Sequence, residues 1–183
     1  IAIMKAIILA AGYATRLYPL TENKAKPLLA VQGKPIIEYI LDKIEQCSEI
    51  DEVIIVTNTK FYGQFVEWKN HIQFSKPIAV LDDKTTDNNN RLGAVGDIDF
   101  VIKTKKIHDD LLVIAGDNLF SFEIKALLDF FHNKNATIVG VYDTKNKETI
   151  ANRLGNVGVD TSNKITFFEE KPKKPKTTLA ATA

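Results

Sequence analysis

Ala6-Ile7-Ile8-Leu9-Ala10-Ala11 is an unbroken apolar run, followed at once by Gly12-Tyr13-Ala14-Thr15-Arg16-Leu17. A strand with one wet face alternates apolar and polar residues. A run without polar breaks fits a strand buried on both faces, as in a parallel sheet. Glu52–Thr57, Ile78–Leu81, Leu111–Ala115 and Ala136–Tyr142 have the same texture. Helical patterns lie between them. Pro35 suits a first helical position, after which Ile36, Ile37, Ile40, Leu41 and Ile44 form one stripe. Ile124, Leu127, Leu128 and Phe131 repeat that spacing, and Phe61–Asn70 and Val95–Lys103 are weaker helical stretches. Strands alternating with helices predict right-handed crossovers and a mostly parallel α/β sheet. After Asn152 the texture changes to short strands, Val157–Asp160 and Lys164–Glu169, around Thr161-Ser162-Asn163.

The chain has 183 residues, so one domain spanning 1–183 is expected. Lys plus Arg number 24 and Asp plus Glu 23, a balance that speaks against nucleic acid as a partner. The apolar runs are strand-sized, well short of the roughly 20 residues of a membrane helix. A single cysteine, Cys47, excludes an internal disulfide framework. No apolar leader opens the sequence. A cytoplasmic protein without membrane contact is expected. Ile1–Ile3 read as residues added before a natural start at Met4. Thr177–Ala183 ends without a helix or strand signal, so the natural chain is expected to continue.

In an open parallel sheet, ligands bind beyond the carboxyl ends of the strands. The first strand leads into a loop of small residues whose amides can cradle an anion. The loop is neither a Walker A sequence nor GxGxxG. Between Gly12 and Lys34 lie four cations, Arg16, Lys24, Lys26 and Lys34, against one carboxylate, Glu22. Small residues with concentrated cations point to a polyphosphate.

Leu9-Ala10-Ala11-Gly12-x-Ala14-Thr15-Arg16-Leu17-x-Pro19-Leu20-Thr21, then Lys26-Pro27-Leu28-Leu29-x-Val31 and Gly33-Lys34-Pro35, closely resembles the signature of sugar-phosphate nucleotidylyltransferases. Glucose-1-phosphate thymidylyltransferases are the nearest members. The likeness continues at Arg91–Asp97, Ala115-Gly116-Asp117-Asn118 and Phe168-Glu169-Glu170-Lys171-Pro172. Ala14 departs from the pattern, since many members have glycine there. The resemblance implies a Rossmann-like three-layer sandwich, with a mostly parallel sheet flanked by helices. It also implies transfer of a nucleotidyl group from an NTP, dTTP or UTP, to a sugar 1-phosphate, releasing pyrophosphate, with Mg²⁺ as cofactor and a homo-oligomeric assembly.

A phosphate monoester has a second pKa of about 6 and needs no strong base near neutrality. Such a site must align two anions and stabilise developing charge. By resemblance, Arg16 grips the leaving pyrophosphate and Lys26 contacts the phosphates during transfer. Asp117 holds the metal, and Ala10, Ala11, Gly12, Ala14, Thr15 and Gly93 bind nucleotide. Gly155, Glu170, Lys171 and Thr182 form the sugar-phosphate site, with Lys171 on the phosphate. Taken alone, Arg16 also fits an exposed surface arginine and Asp117 a turn aspartate. Lys34 reads as structural, and Lys173, Lys174 and Lys176 as a solvated tail. The family's second metal aspartate is expected beyond the sequence. Asp87-Asn88-Asn89-Asn90-Arg91 departs from the family's glutamine-containing loop; its amides suit either a pyrimidine edge or a flexible turn. Two other readings stand beside this one: a cytidylyltransferase with a non-sugar phosphate acceptor, and a non-catalytic nucleotide-binding regulatory relative.

Overall fold

A computed structural model describes residues 3–181; Ile1, Ala2 and the sugar-site candidate Thr182 lie outside them. The order is β1 (Met4–Leu9), β2 (Ala30–Val31), β3 (Lys34–Pro35), α1 (Ile36–Glu45), β4 (Ile50–Thr57), α2 (Thr59–His71), β5 (Ile78–Asp82), α3 (Gly93–Lys105), β6 (Asp110–Ala115), α4 (Ile124–Lys134), β7 (Val141–Asp143), α5 (Lys147–Ile150), β8 (Asn156–Val159), β9 (Ile165–Glu169) and β10 (Leu179–Ala181). The described residues divide into two compact units, one ending at Lys125 and the other beginning at Ala126.

The first unit is built on a four-stranded parallel sheet in the order β5-β4-β1-β6. Ile7, Ile54 and Val56 pack with Val101 of α3 and Ile107 on one face. Strand alternation turns Ala6, Ile8, Val53 and Ile55 to the other face, where they are equally buried. Both faces are therefore covered, which is why β1 and β4 read as continuous apolar runs. At roughly 25 cal/mol per Å² of apolar surface, such two-sided burial is the main stabilising contribution of this unit. The α1 stripe of Ile36, Ile37, Ile40, Leu41 and Ile44 is buried as its spacing predicts.

Pro35 lies just outside α1 rather than at its first position. Its ψ of 140° is extended, and it pairs with Ala30 in the short β2–β3 hairpin. Lys34 in that hairpin is ion-paired with Asp42 and sits 5.1 Å from the centre of the Tyr39 ring.

The second unit is an antiparallel sheet in the order β7-β10-β8-β9. Here one expectation is corrected. Of Ala136–Tyr142, only Val141 and Tyr142 are in a strand, and β7 is exposed throughout. Among the described residues it is an edge strand paired with β10 alone, so it lacks two-sided burial. An apolar run does not by itself distinguish an edge from a centre. The unit is organised around the buried side chain of Asn156. Its Nδ2 donates to the Thr177 and Leu179 carbonyls and to Thr177 Oγ1, and its Oδ1 accepts from the Lys176 and Thr177 amides.

Candidate functional site

β1 ends between β4 and β6, so the loop after it emerges at the centre of the sheet edge. Four hydrogen bonds fix this loop. The Ala10 amide donates to the Val56 carbonyl at 2.8 Å. Thr57 Oγ1 donates to the Ala10 carbonyl at 3.1 Å, and Asn58 Nδ2 to the Ala11 carbonyl at 2.9 Å. Thr21 Oγ1 donates to the Ala14 carbonyl at 2.7 Å. Each of these side chains takes a carbonyl of the loop and none takes an amide of the loop. Asn58 also caps α2, its Oδ1 accepting from the Phe61 amide. The loop is thus held from the protein side, with Gly12 exposed.

Two backbone details bear on the motif. Ala14 adopts the left-handed conformation, φ 48°, before the 3-10 turn Thr15–Leu17. That region costs a non-glycine residue about 1 kcal/mol, which accounts for a glycine preference at this place. Gly12 behaves differently: a Cβ there would meet open space, so the protein's own packing makes no demand for glycine. Arg16 is exposed on the 3-10 turn and takes part in no ion pair among the described residues.

Lys26 and Asp117, 91 residues apart, meet directly. Lys26 Nζ lies 2.5 Å from Asp117 Oδ2, with both side chains about one-third exposed. Gly116 makes the meeting possible. Its amide donates to the Leu9 carbonyl at 2.8 Å. A Cβ on it would lie 3.0 Å from both Ile8 and that carbonyl, and 3.2 Å from Pro27. A side chain at Gly116 would therefore push β6 from β1 and Asp117 from the residue next to Pro27. Among the described residues, no three of His, Cys, Asp and Glu form a metal-holding group. Asp117 is a hard oxygen donor beside a cation, suited to a Mg²⁺ ion held by one carboxylate, water and substrate phosphates.

The β5–α3 segment closes another side. Asp83 and Thr85 are buried there, and Thr85 Oγ1 lies 3.3 Å from the Tyr13 hydroxyl in the loop after β1. Gly93 opens α3 with a φ of 75°, a left-handed value glycine adopts without strain. The asparagines before it are engaged in a turn. Asn90 Oδ1 accepts from the Thr86 and Asp87 amides, and Asn88 Oδ1 accepts from Arg91 Nη1. Those amide groups serve the turn, and the segment contains no glutamine.

In the second unit, Gly155, Glu170 and Lys171 are neighbours. A Cβ on Gly155 would lie 2.8 Å from the Phe168 ring and 3.4 Å from Glu170 Oε2. Lys171 Nζ is 3.1 Å from Glu170 Oε1, and both side chains are more than half exposed. Lys171 has a left-handed φ of 45°, and the Asn152 amide donates to the Pro172 carbonyl at 2.9 Å.

The sequence profile described as nucleotidyl transferase matches residues 5–183. The chain belongs to the nucleotidyl transferase family. This family member is 32% identical over 177 residues to the bifunctional protein GlmU of Methanocaldococcus jannaschii, covering 96% of this chain and 38% of that one. It is 27% identical over 186 residues to a glucose-1-phosphate adenylyltransferase of Rhodopirellula baltica, covering 94% and 41%. The chain therefore spans about two-fifths of the length of these relatives. A provisionally assigned glucose-1-phosphate thymidylyltransferase from Bacillus anthracis, solved with sucrose, superposes with a TM-score of 0.71. It is 29% identical, with 98% of this chain and 69% of that one covered. A UDP-glucose pyrophosphorylase solved with UDP-glucose gives a TM-score of 0.80 over 99% of this chain and 74% of that one. At 19% identity it bears on the fold alone.

The supports of this nucleotidyl transferase loop were not legible as such. Thr57 and Asn58 end an apolar run, where polar residues read as a strand terminus. Their roles depend on β4 lying beside β1, a pairing that spacing does not specify. Asp97 carried a faint signal: a carboxylate between Val95 and Ile98, on a stretch read only as weakly helical.

Proposed function

We propose that the chain carries the nucleotide-binding and transfer machinery for joining a nucleotidyl group from an NTP to a sugar 1-phosphate. The products are an NDP-sugar and pyrophosphate. The observation that carries this reading is the Lys26–Asp117 pair, in which Asp117 lies just beyond the carboxyl end of β6, the strand beside β1. Beside it stands a small-residue loop held by its carbonyls. Ala10, Ala11, Gly12, Ala14 and Thr15 bring backbone to the triphosphate. Gly12, free of any packing demand for glycine, leaves room for close approach. Arg16 presents a planar fork for the β- and γ-phosphates. Lys26 neutralises charge at the phosphate under attack, and Gly93 lies against the nucleotide. Asp117 would hold Mg²⁺, which when bound offsets charge between the two anionic substrates.

Glu170 and Lys171 receive the sugar phosphate, the lysine on phosphate and the carboxylate on hydroxyls, with Gly155 and Thr182 beside the sugar. The acceptor's phosphate oxygen attacks the α-phosphorus as the bond to pyrophosphate breaks. The nucleophile is already dianionic, so the protein supplies alignment and charge rather than a base. We propose dTTP or UTP as donor. The test pairs each NTP with several sugar 1-phosphates and scores pyrophosphate release, with a non-sugar phosphate alcohol and CTP as one arm. A sugar 1-phosphate with dTTP or UTP is the expected best pair. Release that depends only on the CTP arm overturns the sugar reading. Nucleotide binding without release from any pair overturns the catalytic one.

A further inference from the structure

Asp83 follows β5, and Asp97 lies on α3 one turn beyond Gly93. Both residues are 5% exposed. Asp83 Oδ1 accepts from the Thr85 amide and hydroxyl, each at 2.7 Å. Asp83 Oδ2 and Asp97 Oδ1 are buried without an ordinary donor. The two side chains come within hydrogen-bonding reach of each other. Two ionised carboxylates so placed in a dry site repel, and an ionised oxygen there without a donor is costly. One proton between them removes both costs, because a carboxylic acid can donate to its ionised neighbour.

The surrounding charges give no alternative. Asp83 is the charged group that bears on Asp97. From the loop after β1 comes Tyr13, itself acted on by the carboxyl groups of Asp83, Asp87 and Asp82. Lys84 is engaged by exposed contact with Asp82 at 3.1 Å. On α3, Asp99 pairs with Lys103. The charged residues of β1 and β4, on which α3 packs, are Lys5, Asp51 and Glu52. They lie toward the other end of those strands, where Lys5 pairs with Asp51 and Lys105 with Glu52. Burial, followed by the charge of Asp83, pushes the Asp97 carboxyl up to about 7.

We propose that Asp83 and Asp97 share one proton, and that this acid pair is a positioning device for the nucleotide pocket. Through the pair, the first turn of α3, with Gly93, is seated against the segment after β5. Through Thr85, the same segment is seated against Tyr13 beside Gly12. The positioning role rests on the nucleotide-binding reading above; the shared proton does not. When the proton leaves, two negative charges face each other, and the wall built from α3 and the β5–α3 segment loosens.

The test uses Asp97→Asn, whose amide donates to Asp83 at every pH, with Asp83→Asn as a second variant that preserves a donor between the two positions. Thermal unfolding of the whole chain without ligand is followed from about pH 5 to pH 9. A carboxyl raised in the folded state gives stability that is present at low pH and lost as pH rises through about 7. The wild-type melting temperature should fall across that window, and the Asn variant should lack this component. Affinity for dTTP and UTP is then measured as the ratio of variant to wild type, in which the nucleotide's own titration cancels. The ratio should be near one at low pH and rise to about fivefold in favour of the variant at high pH. Parallel unfolding profiles for wild type and both variants overturn the shared proton. Different profiles with a pH-independent affinity ratio overturn the positioning role. Absence of nucleotide binding at every pH overturns that role together with the functional reading, while the unfolding curves still decide the proton.

Discussion

In the unit ending at Lys125, the candidate loop is gripped by side chains that are wholly buried, Thr57, Asn58 and Thr21. In the unit beginning at Ala126, the buried polar anchor is Asn156, and Glu170 and Lys171 stand in solvent holding each other. Phe168 between them and Gly155 is 55% exposed. The first arrangement fixes backbone and leaves little to adjust on binding. The second fixes a framework and leaves two long side chains in solvent, whose ordering by any ligand would cost about 0.5–1.5 kcal/mol each.

The sharpest test of the contrast is Arg16→Ala, which removes a proposed contact with departing charge. It should lower kcat/KM by at least about a hundredfold, near 2.7 kcal/mol, in pyrophosphate-release assays. Near-normal turnover by a folded variant would remove Arg16 from the leaving-group role. Asp117→Asn retains shape but loses the negative charge beside Lys26. Titration with Mg²⁺ should show most of the divalent stimulation gone, and full wild-type activity in excess chelator would contradict the metal assignment.

Asn58→Ala removes a helix cap and orphans the Ala11 carbonyl, costing about 2–3 kcal/mol in denaturant unfolding. It should also raise KM for the NTP. Asn156→Ala should cost a similar amount and shift KM for the sugar phosphate while sparing the NTP. If both variants raised the NTP KM equally, the two units would not divide the work as described. Gly155→Ala puts a Cβ 2.8 Å from a ring free to turn outward. Its stability cost should stay under about 1 kcal/mol, with a modest rise in sugar-phosphate KM. Lys173→Ala with Lys174→Ala should change stability by less than about 0.5 kcal/mol and leave both KM values unchanged.

The parallel sheet could be read from the chain because β1 and β4 are covered on both faces and so lack polar breaks. The helices could be read because α1 and α4 keep one stripe. The same texture misled at Ala136–Tyr142, since an edge strand with few polar residues resembles a central one. The short hairpin β2–β3 left no signal beyond Gly33, and its residues are too few for a period. At the site, Lys26 and Asp117 were visible as motif residues, while their pairing was not, because Gly116 acts through close contact rather than through pattern. Asp83 and Asp97 escaped for a related reason: 14 positions apart in the printed chain, they become partners only when α3 docks beside the end of β5.

The strand order places β1 between β4 and the much later β6. Synthesis is vectorial, so β1 can zip to β4 while β6 is still unmade, leaving one flank of β1 open for tens of residues. Contacts of such long sequence separation form slowly, because the chain between them must first be ordered. The docking of β6 both closes that flank and delivers Asp117 to Lys26. A nascent chain therefore has no Lys26–Asp117 pair until β6 is in place.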